Sequence, residues 1–219
     1  MIGGPVLPPR SGAPARQLVV LLHGYGADGE DLIGLGEPLA DVLPEALFAA
    51  PNAPSPCAQN PFGYEWFPLD FEAMVESVSV GVPTARASVV EFLEDLWSRT
   101  GLGARDTFLT GFSQGAMMAL HVGLSLPDRL LGIVSFSGAL VPPPGFGSNL
   151  LPQPPICLIH GDLDTVVDPQ LTRQAAEALS TAGYEVSLHL SPGLPHGISP
   201  DGLNFAARFM YGLAGAATA

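Results

Sequence analysis

Length, charge and composition exclude several classes of protein. The chain has 219 residues, of which 8 are Lys or Arg and 21 are Asp or Glu, so its formal net charge is −13. So few basic residues cannot form the positive surface that neutralises nucleic-acid phosphates, and no nucleic-acid partner is expected. Hydrophobic residues make up 47% of the chain, which excludes wholesale disorder. The length predicts one domain over residues 1–219, with irregular ends at 1–16 and 214–219.

The sequence shows neither a membrane span nor an export signal. The best apolar run, residues 130–141, has 12 residues and is interrupted by glycine and serine, whereas a spanning helix needs about 20. Residues 1–10 lack a basic start followed by an apolar stretch. We therefore expect a cytoplasmic protein without stable membrane insertion. The alternative is a secreted protein whose signal peptide has been removed.

Short apolar runs alternate with longer helical patterns, which predicts an α/β fold: a mostly parallel sheet with helices on both faces. The candidate strands are 17–22, 47–50, 107–110, 131–136, 156–160 and 185–190. The candidate helices are 31–43, 83–99, 114–126, 169–182 and 201–213. Pro83 suits a first helical turn, and Gly183 and Gly212 suit helix ends.

Residues 51–70 show no clear periodicity and carry five prolines and four aromatic residues. A loop of this length inside a compact domain is usually functional. Cys57 lies in this loop, and Cys157 lies in a strand that reads as buried. Two free thiols are expected, since a chain of this size does not need a disulfide; one disulfide is the alternative.

The segment Gly111-Phe112-Ser113-Gln114-Gly115 directly follows the third candidate strand and opens the most apolar helix. It matches G-x-S-x-G in the strand–turn–helix context that lifts a serine hydroxyl out of a sheet. The flanking glycines allow other backbone to approach, and the helix N-terminus favours a developing negative charge. Ser113 is therefore the candidate nucleophile. The alternative is an ordinary N-cap serine.

A serine nucleophile needs a base, which in this architecture comes last in the order serine, acid, histidine. His121 falls within the apolar helix and His189 within the sixth candidate strand, so both are expected to be packing residues. His23 and His160 end strands and come before the acid or too close to it. His196 lies in a loop between the last strand and the last helix, flanked by proline and glycine, and is the candidate base.

The orienting acid is expected after the fifth strand, where three aspartates occur. Asp168 precedes Pro169 and the next helix, as an N-cap does. Asp162 adjoins the strand end, where it can shape the turn. Asp164 lies at the loop apex and is best placed to reach His196. Asp164 is the candidate acid, with Asp162 as the alternative.

A second oxyanion donor is expected in the loop after an early strand. Glycines flank Tyr25 in the segment 23–28, so the backbone N–H of Tyr25 can face the backbone N–H of Gln114. The alternative is a glycine-rich turn without a ligand. A phosphate-binding loop is disfavoured because no Lys-Ser/Thr pair follows.

Four motifs occur in order along the chain: LLHGYGADGEDL at 21–32, GFSQGAMMAL at 111–120, HGDLDTVV at 160–167 and GLPHGI at 193–198. Together they resemble the small carboxylesterase/phospholipase family of α/β-hydrolases, which includes bacterial carboxylesterases and acyl-protein thioesterases. The resemblance implies an α/β-hydrolase fold without a large lid domain, no metal, no cofactor and frequent homodimers. It also assigns the nucleophile, acid and base to Ser113, Asp164 and His196, and the oxyanion donors to Tyr25 and Gln114.

The expected activity is that of a serine carboxylesterase acting on a small-molecule ester. Carboxylic esters of short to medium acyl chain are the expected substrates, with thioesters and lysophospholipids as further candidates. Trp66 and Phe67 in the long loop, with Phe112 and Leu163 beside the three predicted catalytic residues, are the candidates for an apolar acyl groove. The alternative for the loop aromatics is a hydrophobic cluster beneath the loop.

Three rival interpretations remain. The same fold could support an acyltransferase or a lyase, or a non-catalytic binding module, although such a module usually lacks a triad residue. The third rival is a metal-dependent hydrolase that uses side chains at the strand ends: His23, His160, Asp162 and Asp164.

Overall fold

A computed structural model describes residues 2–148 and 151–217. The strands are β1 (Val6–Leu7), β2 (Gln17–Leu22), β3 (Ala46–Ala49), β4 (Ser55–Pro56), β5 (Tyr64–Glu65), β6 (Thr107–Phe112), β7 (Gly132–Phe136), β8 (Ile156–Gly161) and β9 (Val186–Ser191). The helices are α1 (Gly29–Ile33), α2 (Gly36–Leu39), α3 (Met74–Thr100), α4 (Gln114–Gly123), α5 (Pro169–Thr181) and α6 (Pro200–Ala217), and one 3₁₀ turn covers Ala104–Asp106.

Seven of the strands form one sheet in the order β1-β3-β2-β6-β7-β8-β9. Strand β1 pairs antiparallel with β3, and every other neighbouring pair in this sheet is parallel. Strands β2, β6, β7 and β8 are nearly continuous apolar runs because both of their faces are covered. The parallel pairing brings the carboxyl ends of these strands, and the loops that follow them, to one edge of the sheet.

Two layers of hydrophobic core lie on the two faces of the sheet. Helices α3, α4 and α5 cover one face, against alternate β2 residues that include Leu18 and Leu22. Helices α1, α2 and α6 cover the other face, against Val19 and Leu21. Helix α4 is buried along its whole length, as its apolar sequence predicts. Within the described residues, no helix has both the length and the apolar character to cross a bilayer.

The six candidate strands and most of the helices are confirmed to within a few residues. The prediction of an ordered helix end at Gly183 is also confirmed. Gly183 has φ +89°, its N–H donates to the Ser180 carbonyl at 3.0 Å, and the N–H of Tyr184 donates to the Leu179 carbonyl at 3.0 Å. These two bonds form a Schellman motif, which satisfies the last carbonyls of α5.

Two predicted helices were wrong in their extent. The helix expected over 31–43 is two short helices, α1 and α2, because Gly34, Gly36 and Pro38 all lower helix propensity. Helix α3 begins at Met74, so Pro83 lies inside it rather than in its first turn. The helix residues on both sides of the proline, including Val82 and Ala85, are buried against the core, and this packing favours continuation of the helix.

The chain ends are more ordered than expected. Strand β1 lies within the segment 1–16, and α6 continues past Gly212 to Ala217, so Gly212 does not end the helix. Residues 218–219 of the predicted irregular end lie outside the described residues. Strands β4 and β5, inside the loop 51–70, form a two-stranded antiparallel hairpin that the sequence did not predict. Both cysteines, Cys57 and Cys157, are buried and free, as expected.

Candidate active site

Ser113 lies on a sharp turn between β6 and α4. Its backbone has φ 53° and ψ −115°, an unusual conformation for a residue with a side chain and one that is costly outside functional sites. The turn requires glycine on both sides. A Cβ on Gly111 would lie 2.2 Å from the carbonyl oxygen of Gly115, and a Cβ on Gly115 would lie 2.0 Å from the carbonyl oxygen of Leu22. The two glycines of the G-x-S-x-G pattern therefore allow close backbone approaches, and these hold the serine hydroxyl above the sheet edge.

The structure brings Ser113, His196 and Asp164 together in a hydrogen-bonded chain. The Ser113 hydroxyl donates to Nε2 of His196 at 3.0 Å, and Nδ1–H of His196 donates to Oδ2 of Asp164 at 2.6 Å. The three residues come from loops after β6, β8 and β9. The Asp164 side chain is fully buried, and the His196 side chain is 19% exposed. In this geometry an imidazole bonds to a hydroxyl through one ring nitrogen and to a carboxylate through the other.

Asp164 accepts four hydrogen bonds. Its Oδ1 accepts from the N–H groups of Val166 at 2.8 Å and Val167 at 2.9 Å. Its Oδ2 accepts from His196 and from Nε2–H of His160 at 3.1 Å. Burial alone raises the pKa of the carboxyl, but the bonds from His196, Val167 and Val166 outweigh it and hold the pKa below its ordinary value. Asp164 is therefore a carboxylate at neutral pH.

The other two aspartates of this loop have the structural roles expected of them. Asp162 accepts a hydrogen bond from the N–H of Gly193 at 2.6 Å, which joins the loops after β8 and β9. Asp168 caps α5 by accepting from the N–H of Gln170 at 2.9 Å. Neither carboxylate has a hydrogen bond to His196 among the bonds of the described residues, which leaves Asp164 as its acid partner.

The remaining histidines are held by other partners. His23 is fully buried, with Nδ1 2.7 Å from the Gly24 carbonyl and Nε2 accepting from the N–H of Ala53 at 2.9 Å. His121 is buried in α4, and His189 bonds to Asp201 and stacks on a ring of α6. No three His, Cys, Asp or Glu side chains in the described part of the chain form a metal-ligand set.

The β4–β5 hairpin supports the loop that carries Tyr25. The N–H of Gly26 donates to the Tyr64 carbonyl at 2.9 Å, and the N–H of Tyr64 donates to the Ala27 carbonyl at 2.8 Å. The side-chain amide of Asn60 donates to the Gly26 carbonyl at 2.7 Å. These bonds fix the backbone on the C-terminal side of Tyr25. The hairpin therefore holds in place the loop that carries the backbone N–H of Tyr25, the predicted oxyanion donor.

The Gln114 side chain has a role that the sequence analysis did not predict. It is 2% exposed; its Oε1 accepts from the N–H of Trp66, and its Nε2 donates to the carbonyl of Phe67, both at 2.8 Å. One buried amide thus satisfies two backbone groups of the long loop. The residue that follows Ser113 therefore attaches the 51–70 loop to the start of α4.

A cavity of about 230 Å³ opens at Ser113. It is smaller than the 300–1,000 Å³ pockets that typically enclose drug-sized ligands. Ser113, His196 and the two predicted oxyanion donors, Tyr25 and Gln114, all line it. Most of its other lining residues are apolar: Ala27, Leu69, Phe71, Met74, Val78, Phe112, Met117, Val166 and Val167. The cavity thus offers a small apolar volume beside a hydroxyl–imidazole pair.

The structure places one of the four predicted substrate-binding residues in this cavity. Phe112 lines it, with its ring centroid 4.8 Å from that of His196. Trp66 and Phe67 are instead 2% and 3% exposed and pack in the core below the loop. Leu163 is 62% exposed and is not among the residues that line the cavity. The prediction for these three residues is therefore corrected: Trp66 and Phe67 are taken into the core, and Leu163 is exposed to solvent outside the cavity.

The cavity wall is formed by neighbours of the residues that were predicted. Leu69 and Phe71 follow the two buried aromatics in the chain, and Met74 and Val78 come from the first two turns of α3. The side chains at 74 and 78 lie four residues apart, on one face of the helix. The helix predicted from the sequence begins at residue 83, and both residues were therefore missed.

These features together define the α/β-hydrolase fold. The sheet is mostly parallel with helices on both faces, a strained serine lies at a strand–helix turn, and a histidine and an aspartate follow later strands. The profile of the phospholipase/carboxylesterase family matches residues 9–214. The chain belongs to this family.

Relatives and a solved structure agree with this membership. Esterase YpfH of Escherichia coli (strain K12) is 32% identical over 198 residues, covering 88% of this chain and 81% of YpfH. Acyl-protein thioesterase 1 of Neurospora crassa is 30% identical over 212 residues, covering 88% of this chain and 84% of the thioesterase. The crystal structure of esterase PE8 superposes with a TM-score of 0.92 at 50% identity, covering 97% and 99% of the two chains. The family supports an esterase or thioesterase role, and hence a hydrolase.

Proposed function

We propose that the protein is a serine esterase that hydrolyses carboxylic esters or thioesters through an acyl-enzyme on Ser113. The observation that carries the proposal is the continuous hydrogen-bond path from the Ser113 hydroxyl through His196 to Asp164. In this arrangement the histidine acts as general base and the aspartate orients the histidine, which activates a serine hydroxyl that is otherwise a weak nucleophile. The relatives named esterase and acyl-protein thioesterase support the same reaction class.

In the first half of the reaction, Oγ of Ser113 attacks the substrate carbonyl carbon while Nε2 of His196 takes the hydroxyl proton. Asp164 stabilises the imidazolium that forms and keeps the ring in the required tautomer. When the tetrahedral intermediate collapses, His196 gives this proton to the leaving alcohol or thiol. The acyl group stays on Ser113 as an ester.

In the second half, a water molecule takes the place of the leaving group. His196 removes a proton from the water as it attacks the acyl-enzyme carbonyl, and the proton then returns to Oγ of Ser113. The carboxylic acid is released and the resting enzyme is restored. No redox or metal step is needed to balance this sequence.

We assign the stabilisation of the oxyanion, in both tetrahedral intermediates, to the backbone N–H groups of Tyr25 and Gln114. Both residues line the cavity at Ser113, and the N–H of Gln114 lies at the start of α4, where the helix dipole favours negative charge. Loss of one such donor costs about 2.7–4 kcal/mol of transition-state stabilisation. The β4–β5 hairpin and the Gln114 side chain hold these two segments in place.

The cavity favours acyl groups of short to medium length. Its volume of about 230 Å³ and its mainly apolar lining suit a short hydrocarbon chain better than a long one. The acyl chain is assigned to the wall formed by Leu69, Met74 and Val78, in place of Trp66 and Phe67. No cofactor or metal takes part in this proposal, and a homodimer and a cytoplasmic location remain predictions from the sequence.

A panel of substrates tests the proposal. We expect kcat/KM for p-nitrophenyl esters to be highest for acyl chains of short to medium length and to fall for long chains. Matched thioesters and lysophospholipids in the same panel identify the preferred leaving group, and product analysis with an added alcohol separates hydrolysis from acyl transfer. Absence of turnover with every ester and thioester would refute the proposed function. Light scattering tests the predicted homodimer separately.

A further inference from the structure

His160 is a buried histidine that the mechanism above does not use. It lies at the end of β8, and neither its side chain nor that of Asp164 is exposed. Its Nε2 lies 3.1 Å from Oδ2 of Asp164 and 2.9 Å from the carbonyl oxygen of Val167. A carboxylate oxygen and a carbonyl oxygen can only accept. Nε2 of His160 must therefore carry a hydrogen.

The other ring nitrogen completes the assignment of the tautomer. Nδ1 of His160 lies 2.6 Å from the hydroxyl of Thr172, which is also 3.2 Å from the carbonyl of Gly138. Burial lowers the pKa of His160, with Asp164 and His196 as the titratable groups that act on it, so the ring is neutral at pH 7. Thr172 then donates its proton to Nδ1 over the shorter distance, and the single ring hydrogen, on Nε2, is shared between Oδ2 of Asp164 and the carbonyl oxygen of Val167.

This N–H ties the Asp164 carboxylate to the sheet. Two of the four bonds to Asp164 come from its own loop, from Val166 and Val167, and the third comes from His196. The bond from His160 comes from a strand that is paired on both sides. The same nitrogen reaches the Val167 carbonyl, so it contacts the loop at two points. Without it, nothing in the described set of bonds joins the Asp164 side chain directly to a strand.

We propose that His160 is a positioning residue, which holds Oδ2 of Asp164 in the place where it accepts the Nδ1–H of His196. The inference rests on the proposed function, since it acts through the assigned acid and base. Its removal should disturb the alignment of the base without changing the apolar cavity, because His160 does not line that cavity. The effect should therefore appear in kcat and leave KM nearly unchanged.

Two substitutions at the same position test this. His160→Leu keeps an apolar side chain of similar size and removes the donor, and we expect kcat to fall about 100-fold, the order expected when a catalytic group is misplaced. His160→Gln places an amide N–H where Nε2 lies, and we expect it to recover at least about tenfold of that loss. KM should stay within about twofold of the wild-type value in both variants, because the substrate contacts are intact.

His121→Leu is the matched control. His121 is also a buried histidine, bonded through Nδ1 to the Val141 carbonyl at 2.8 Å, but it has no bond to the triad in the described contacts. We expect this variant to lose thermal stability while keeping kcat within about threefold, since it removes a buried bond away from the site. Comparison at temperatures where all variants are folded separates positioning from general destabilisation.

If His160→Leu does not fold, Thr172→Val carries the test. This variant removes the hydroxyl that bonds to Nδ1 and holds the ring of His160 in place, and kcat should fall about three- to tenfold with KM unchanged. An unchanged kcat in the folded variants, a loss confined to KM, or a Gln variant no better than Leu would overturn the inference. Ser113→Ala separates the two proposals: if it is inactive while His160→Leu is fully active, only the role of His160 fails. If it is as active as the wild type, the proposed function fails.

Discussion

The two edges of the sheet hold their polar residues in opposite ways. At the amino ends of β2 and β3, Arg10 pairs with Glu37 and Asp41, and these side chains are 42%, 65% and 71% exposed. At the carboxyl edge, Asp164 and His160 form a bonded pair with no exposed side-chain surface. Exposed ion pairs contribute at most about 1 kcal/mol to stability, whereas each partner removed from a buried network leaves a group unsatisfied.

The effect of a substitution should therefore depend on the edge of the sheet at which it lies. Removal of a charge at the amino edge returns its partner to water, so little should change. Removal of a group at the carboxyl edge leaves a buried partner without a bond and moves atoms that the proposed reaction needs. A carboxylate lies beside a nitrogen-bearing side chain at both edges, but only the pair at the carboxyl edge is buried, and this burial makes its substitution costly.

The largest effect is expected from Ser113→Ala. This variant removes the proposed nucleophile and should lower kcat by about 10⁶-fold, as loss of the serine of a catalytic triad does. Its fold should be intact, since alanine fits the space of serine, and far-UV circular dichroism checks this. Turnover of p-nitrophenyl butyrate near the wild-type rate would contradict the proposed mechanism.

Asp164→Asn tests the acid at the carboxyl edge with almost no change of shape. An amide in place of the carboxylate no longer fixes the required tautomer of His196, and kcat should fall about 10⁴-fold, as in other triads. The matched control is Asp162→Asn, whose carboxylate bonds to the N–H of Gly193 and does not contact His196 among the described bonds. Equal losses in the two variants would argue against Asp164 as the acid.

The pH dependence of stability follows from the same carboxylate. The pKa of folded Asp164 is below its ordinary value, so its contribution is present above the unfolded pKa and is lost as the pH falls through the folded pKa. We expect wild-type stability to fall over this acidic range and the Asp164→Asn variant to lack that part of the fall. Thermal midpoints from about pH 6 down to about pH 2, a range that begins above the usual carboxyl pKa of about 3.9 and continues well below it, measure the difference.

Gln114→Met tests the attachment of the long loop to α4. The substitution keeps the size of the side chain but leaves the N–H of Trp66 and the carbonyl of Phe67 without their partner. Each unsatisfied buried group costs about 1–3 kcal/mol, and kcat/KM should fall because the loop also supplies Leu69 to the cavity wall and leads directly into Phe71. Urea unfolding measures the stability. The exposed Gln174→Met is the control and should change it by less than about 0.5 kcal/mol.

The smallest effect is expected at the amino edge. Arg10→Met removes two exposed ion pairs, and the free energy of unfolding should change by less than about 1 kcal/mol. The kcat and KM should be unchanged, since Arg10 precedes β2 at the edge opposite the catalytic loops. A loss of activity in this variant would break the contrast between the two edges.

The sequence predicted the buried strands and the three proposed catalytic residues because both leave local signals. A doubly covered strand is a continuous apolar run, and the glycines around Ser113 record backbone contacts that exclude a Cβ. Chain order then restricted the choice among the histidines. These inferences used only neighbours in the chain and the direction of parallel strands.

Other features of the site depend on contacts between distant segments. Trp66 lies in the 51–70 loop and Phe71 directly follows it, and only packing against α3 and α4 decides that the first is in the core and the second is at the cavity. The β4–β5 hairpin has two residue pairs, too few to give a periodic pattern. His160 was rejected as the base from its position in the chain, which gave no indication that its ring reaches Asp164.

The most direct test of the central claim is the site of covalent modification. The wild-type protein is treated with a fluorophosphonate, which phosphonylates an activated serine, and the adduct is located by peptide mass spectrometry while the remaining esterase activity is followed. The account predicts one adduct, on Ser113, formed in proportion to the loss of activity, and no adduct in Ser113→Ala. Esterase activity that survives complete modification of Ser113, or an adduct that forms on another serine as activity is lost, would contradict it.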